Sequence, residues 1–240
     1  MVNFFQAIDE VKVNSISWQK IVDRNNSCIG YEASAPFAGE SGQGAEVKRP
    51  VLPMISMVRA SCIARPRFSY GPPLRMFMKV EKSMLLSHRV VDELIRCTSD
   101  LKGCNYQLAI ELMDGVVRNM EMATYVEALY RLRESGVCIV LDDDVIEDTI
   151  RLELRLDLCD MVKVDVDSFG IFPKSVNDVC VRGYEQVYTG VVDYLQRYGV
   201  PLLVGKVESD WQAHVVYSMP FDFFQGYAFG RPKHVLSVRM

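Results

Sequence analysis

Short apolar runs recur along this chain, and several are apolar on both faces. RMFMKV (75–80), YQLAIEL (106–112), DMVKVDV (160–166) and VPLLVG (200–205) are separated by segments of helical periodicity. A strand with one solvated face alternates apolar and polar residues, whereas a strand covered by helices has no need to. The pattern therefore predicts parallel strands with helical crossovers. The two opening runs differ. SISWQKIVD (15–23) and SCIGYEASA (27–35) are joined by the polar RNN, which predicts a hairpin. With CIVLD (138–142) and DFFQGY (222–227) the strand count reaches eight. Eight strands in 240 residues predict an α/β chain closed into a (β/α)8 barrel. A doubly wound open sheet is the alternative. No repeat or internal boundary divides the chain, so residues 1–240 read as one domain.

Between the strands, helices are predicted at 51–64, from His88, from Met122 to a stop at Gly136, over IEDTIRLELRL (146–156), through the Tyr184–Leu195 stripe, and over SDWQAHVVYSM with Ser209 as its cap. Hydrophobic residues make up 49% of the chain, enough for a sizeable core. A net charge of -4 argues against direct binding to nucleic acid through its phosphate backbone. Seven cysteines, an odd number without CxxC spacing, fit a reduced cytoplasmic setting. The N-terminus has no signal-peptide pattern, and no apolar run reaches the roughly 18 residues of a membrane span. His88, His214 and His234 show no metal-ligand spacing.

Polar residues gather at the predicted strand ends. Glu32 lies near the end of the second run, Glu81 ends the third and Glu111 the fourth. Asp142 and Asp143 end the fifth, Lys163 and Asp165 the sixth, and Gln225 the last. In a barrel these ends share one rim, the face on which active sites are built. Acidic oxygens from several strands suit hard cations such as Mg²⁺ or Mn²⁺, and a lysine among them suits phosphate. The pattern reads as a metal-assisted phosphate-ester site or its remnant. Asp144 and Asp148 fit helix-cap or loop roles.

These same residues carry a resemblance. IVDRNNSCIGYEAS, LAIELMD, GVCIVLDDD, DMVKVDVDSF, PLLVGKVESDWQ and FDFFQGYAFGRP are similar, in order and spacing, to the motifs of EAL domains, the cyclic di-GMP phosphodiesterases. The likeness runs from about residue 16 to 233. It implies a (β/α)8 barrel with one strand reversed and, in active members, two Mg²⁺ or Mn²⁺ ions that activate water to open cyclic di-GMP to pGpG. Carried over by position, it makes Glu32, Glu111, Asp142 and Asp143 metal ligands and Lys163 the active-site lysine. Glu208 and Gln225 complete the set. The family's third-strand asparagine falls on Glu81 or, two residues earlier, on Lys79. Glu81 is preferred because Val80 and Ser83 then match too.

Four departures set the functional expectation. Ser34 replaces the leucine of the Glu-Ala-Leu motif. Pro36 stands where the family has a ligand-contacting arginine, and proline cannot hold phosphate bidentately. Asp144-Val145-Ile146-Glu147 replaces a glycine-bearing loop. Gly205 stands at the general-base glutamate, with Lys206 beside it, and loss of a base costs about 10²–10⁴ in rate. These departures predict a catalytically silent member, a regulator in cyclic di-GMP-linked signalling acting through a protein partner. Two alternatives stand. One is an active phosphodiesterase with Glu208 or Glu147 as substitute base. The other is a non-hydrolysing receptor, for which the missing arginine implies weak cyclic di-GMP binding. The family's rim pairing allows a homodimer, an inference the altered loop weakens.

Overall fold

The computed structural model describes residues 15–34, 51–65, 71–113, 117–142, 151–169 and 181–236. The opening hairpin forms as β1 (Ser15–Asp23) and β2 (Cys28–Ser34), antiparallel to each other. Helix α1 (Val51–Ile63), β3 (Leu74–Glu81), α2 (His88–Gly103), β4 (Tyr106–Met113) and α3 (Met122–Ser135) follow. Next come β5 (Cys138–Asp142), α4 (Leu152–Arg155), β6 (Met161–Asp165), α5 (Val181–Tyr198), β7 (Leu202–Gly205), α6 (Asp210–Tyr217) and β8 (Phe223–Gln225). Strands β2 to β8 are parallel neighbours in sequence order, and β1 closes the ring by pairing antiparallel with both β2 and β8. The closed barrel holds, and the open-sheet alternative does not.

A ninth strand, β9 (Lys233–Leu236), pairs antiparallel with Ser15–Trp18 of β1 and was not anticipated. Its signal is weak because β1 is already saturated by β2 and β8 further along, leaving only its first residues to recruit a partner. The helix read over 146–156 is described only from Leu152 to Arg155, since residues 143–150 lie outside the described residues.

Helix ends follow local chemistry. Helix α3 stops at Gly136, whose φ of 92° is in the left-handed region that glycine enters without a Cβ clash. Ser209 caps α6 as predicted. Its Oγ accepts from the Gln212 N–H at 3.2 Å while Gln212 Oε1 accepts from the Ser209 N–H at 3.1 Å, a reciprocal capping box. Among the described residues, no helix is long and apolar enough to cross a membrane.

The core has two parts, separated by the period-two alternation of the strands. Outward-facing residues such as Met78, Ile110, Leu141, Val164 and Leu202 join the helices in one large cluster. Inward-facing Ile21, Phe77, Ala109, Cys138, Val140, Met161 and Leu203 form a separate plug inside the barrel. Moving two residues further along each strand keeps the inward direction and arrives at a polar layer. Phe77 leads to Lys79, Ala109 to Glu111, Val140 to Asp142, Met161 to Lys163, Leu203 to Gly205 and Phe223 to Gln225. An apolar floor thus carries a charged layer toward the strands' C-terminal mouth.

Candidate functional site

The charged layer is assembled by strand register. Lys79 lies opposite Glu111 on β4, and Asp142 lies opposite Lys163 on β6. Lys163 Nζ donates to Glu32 Oε2 at 2.8 Å and to the two Glu111 carboxylate oxygens at 3.1 and 3.0 Å. Lys79 Nζ donates to Asp142 Oδ2 at 2.7 Å and stands 4.0 Å from Glu111 Oε2. Gln225 Nε2 donates to Glu32 Oε2 at 2.5 Å and faces Gln19 Oε1 at 3.4 Å. Side-chain exposure is 0% for Glu111 and 5% for Lys163, against 30% for Lys79. The network therefore opens toward solvent on the Lys79 side.

Burial sets the electrostatics. It would raise the Glu32 carboxyl, but Lys163, Lys79 and the hydrogen bonds from Lys163 and Gln225 hold it down to about 2. Burial pushes Glu111 up, and the Glu32 charge adds to it. Lys163 and Lys79 offset this only in part, leaving Glu111 at about 7. Burial also disfavours the Lys163 ammonium, yet Glu111, Glu32 and Asp142 outweigh it and raise its pKa. Lys79 is raised too, because Glu111, Asp142 and Glu32 outweigh burial and the neighbouring Lys163.

Of the residues expected at the site, Glu32, Glu111, Asp142, Lys163 and Gln225 are brought together. Glu81, preferred for the third-strand metal position, is not among them. It sits opposite Met113, one inward step beyond Lys79, and accepts from Ser83 Oγ at 3.5 Å. Lys79 joins the carboxylates instead, because register with β4 sets Lys79 against Glu111. Glu208 takes no part in the network. It is exposed before α6, where its N–H donates to Gln212 Oε1 at 2.7 Å. Ser34 shares a hydrogen bond with Ser17, Oγ to Oγ, at 2.6 Å across the hairpin. Pro36, Asp143, Asp144 and Glu147 lie outside the described residues.

Gly205 is part of the mouth. A Cβ built there would stand 3.2 Å from Asp165 Oδ1 and 3.3 Å from Lys163 Cε. The neighbouring Lys206 adopts a left-handed φ of 56° and pairs with Asp165. Gly226, after β8, has a φ of 150°, and a Cβ there would come within 2.0 Å of Val207 O. That close approach explains the glycine in the Gln-Gly-Tyr segment.

Two features escaped the sequence reading. Gln19 meets Gln225 and donates to Gly230 O at 3.2 Å. Its place two residues before inward-facing Ile21 was the available signal. Outside the barrel, Glu153 Oε1 accepts from Tyr125 Oη at 2.7 Å and pairs with Lys82 Nζ at 3.0 Å. No sequence pattern ties those three positions together.

The described residues do not fit a divalent cation. Each of the three carboxylates already holds an ammonium group at hydrogen-bond distance, Glu32 and Asp142 through one oxygen and Glu111 through both. Among the described residues, no cluster of three or more His, Cys, Asp or Glu is placed to hold a metal. With Lys79 in place, a doubly charged ion about 4 Å from Nζ would be repelled by roughly 8 kcal/mol at an effective dielectric of about 20.

A reversed strand closes a (β/α)8 barrel, with carboxylates, lysines and a glutamine gathered at the strand ends. The EAL domain model matches residues 5–232, and the chain belongs to the EAL domain family, the cyclic di-GMP phosphodiesterases. No curated protein is significantly similar in sequence. Among solved structures, the chain is similar to an EAL domain protein from Listeria monocytogenes EGD-e. The identity is 20%, covering 96% of this chain and 94% of that one, with a TM-score of 0.66. It is similar to the EAL domain of Mycobacterium smegmatis DcpA at 18% identity, covering 91% and 90%, with a TM-score of 0.65. It is also similar to the Bacillus subtilis YkuI protein, solved with its substrate c-di-GMP and calcium. There the identity is 16%, covering 100% of this chain and 60% of that one, with a TM-score of 0.66.

Proposed function

We propose that this chain is a non-hydrolysing EAL domain, a regulator in cyclic di-GMP-linked signalling that works through a protein partner. The observation that carries the reading is Lys79. Its ammonium is bonded to Asp142 and stands 4.0 Å from Glu111, among the carboxylates that would grip a metal. Two further features support it. Gly205 offers no side chain to take a proton from water, and Glu208, the nearest substitute in sequence, is exposed and outside the network. Pro36 supplies no guanidinium for the nucleotide phosphates.

Incubation with cyclic di-GMP and Mn²⁺ or Mg²⁺ tests this reading. No pGpG is expected, and steady turnover would overturn it. Calorimetric titration with cyclic di-GMP addresses the receptor alternative. Saturable heat would make the chain a nucleotide receptor, whereas its absence leaves the protein partner as the output.

A further inference from the structure

Three carboxylates converge at the barrel mouth from β2, β4 and β5, and one of them, Glu111, is fully enclosed. Such a cluster needs positive charge between its members. Each lysine supplies it by bridging two strands. Lys163 joins Glu32 of β2 to Glu111 of β4. Lys79 joins Glu111 of β4 to Asp142 of β5. Both side chains rise from the inward face of their own strands, so the backbone register delivers the two charges in place.

From this geometry we propose that Lys79 is a tethered counter-cation that, beside Lys163, closes the barrel mouth to divalent metal. Lys163 stands at the position of the family's active-site lysine, whereas Lys79, in register with Glu111 across β3 and β4, is the residue on which exclusion turns. The barrel then needs no metal for its stability. Removing the Lys79 charge frees Asp142 Oδ2 and lifts the repulsion on a cation approaching Asp142 and Glu111. This inference shares with the proposed function the reading of Lys79 as an occupant of the acidic site. It differs in what it predicts, which is a response to metal rather than a product.

The test uses wild type, Lys79→Asn and Lys79→Arg, purified in EDTA and titrated with MnCl₂ by calorimetry and by the loss of the free Mn²⁺ paramagnetic signal. Wild type and Lys79→Arg should take up no stoichiometric Mn²⁺, and their melting temperatures should not respond to it. Lys79→Asn should melt lower without metal. It should bind Mn²⁺ at least ~10-fold more tightly than wild type and regain melting temperature as the ion exceeds its Kd. Stoichiometric Mn²⁺ on wild type, or equal affinities for wild type and Lys79→Asn, would overturn the inference. Wild type decides the matter even if Lys79→Asn does not fold. Bound Mn²⁺ there sinks the inference, and a metal-free wild type indifferent to EDTA supports it. Mn²⁺ uptake by wild type without pGpG overturns this inference alone, while pGpG formation by wild type overturns the proposed function.

Discussion

Two buried charge groups in this molecule are built differently. Inside the barrel, Glu32, Glu111 and Asp142 share two ammonium groups, so carboxylates outnumber lysines. Between the helices and the strand-end turn, Glu153 has Lys82 and the Tyr125 hydroxyl to itself. The second group is balanced. Burial would raise Glu153, but Tyr125 and Lys82 outweigh it and lower it. The first group is crowded, and crowding splits its acids. Glu32 falls to about 2 while Glu111 rises to about 7. A structural ion pair needs only balance. The barrel group instead carries a surplus of acid at the strand ends, with the two lysines set among its members.

Removing one lysine from each group should give the largest contrast. Lys163→Met leaves Glu32 and Glu111 without their shared cation in a site 5% exposed at the lysine. A loss of about 3–5 kcal/mol is expected in urea unfolding. Lys82→Met should cost only about 1–3 kcal/mol, because Tyr125 still donates to Glu153. Equal losses would mean that the barrel cluster is no more strained than the outer pair.

Stability against pH separates the groups next. The raised Glu111 holds its proton longer in the folded protein, so its contribution weakens as pH rises from about 4.5 to about 7. The lowered Glu32 stabilises above its ordinary value near 4.5, and that contribution is lost as pH falls toward about 2. Glu153 is lowered as well and adds only to the acid side. Wild type should therefore unfold at lower urea at pH 7.5 than at pH 5. Glu111→Gln should flatten that difference, whereas Glu153→Gln should not. A slope unchanged in Glu111→Gln would place the titrating group elsewhere.

The way these groups formed also explains what could be read from the sequence. Carboxylates at the ends of apolar runs were visible because period two fixes which residues share a face. Glu32, Glu111, Asp142, Lys163 and Gln225 all met where expected. Period two could not choose between Lys79 and Glu81, which face the same way. Matching neighbours along the strand favoured Glu81, while register across to Glu111 brought Lys79 into the network. The Tyr125–Glu153–Lys82 group joins three elements far apart in sequence, so nothing local announced it. Strand β9 depends likewise on a pairing between the two ends of the described barrel.

Restoring the base position probes the mouth more gently. Gly205→Glu returns a carboxylate, but its Cβ enters between Asp165 Oδ1 at 3.2 Å and Lys163 Cε at 3.3 Å. Overpacking there should cost about 1–3 kcal/mol. The variant should give no pGpG, since Lys79 still holds Asp142. Product from Gly205→Glu alone would locate the defect entirely at residue 205.

The smallest effect should come from Lys206→Gly, next to that position. The left-handed conformation of Lys206, at a φ of 56°, costs a side-chain-bearing residue roughly 1–2 kcal/mol that glycine avoids. Glycine forfeits part of this through the greater freedom of the unfolded chain. It also forfeits the pair with Asp165, which is weak because the Lys206 side chain is 61% exposed. The opposing terms nearly cancel, so urea midpoints should shift by less than about 1 kcal/mol, toward greater stability if backbone strain dominates. A clear loss instead would show that Lys206 pins Asp165 at the mouth. A third lysine would then share in neutralising the strand-end acids, and the contrast with the balanced outer group would widen.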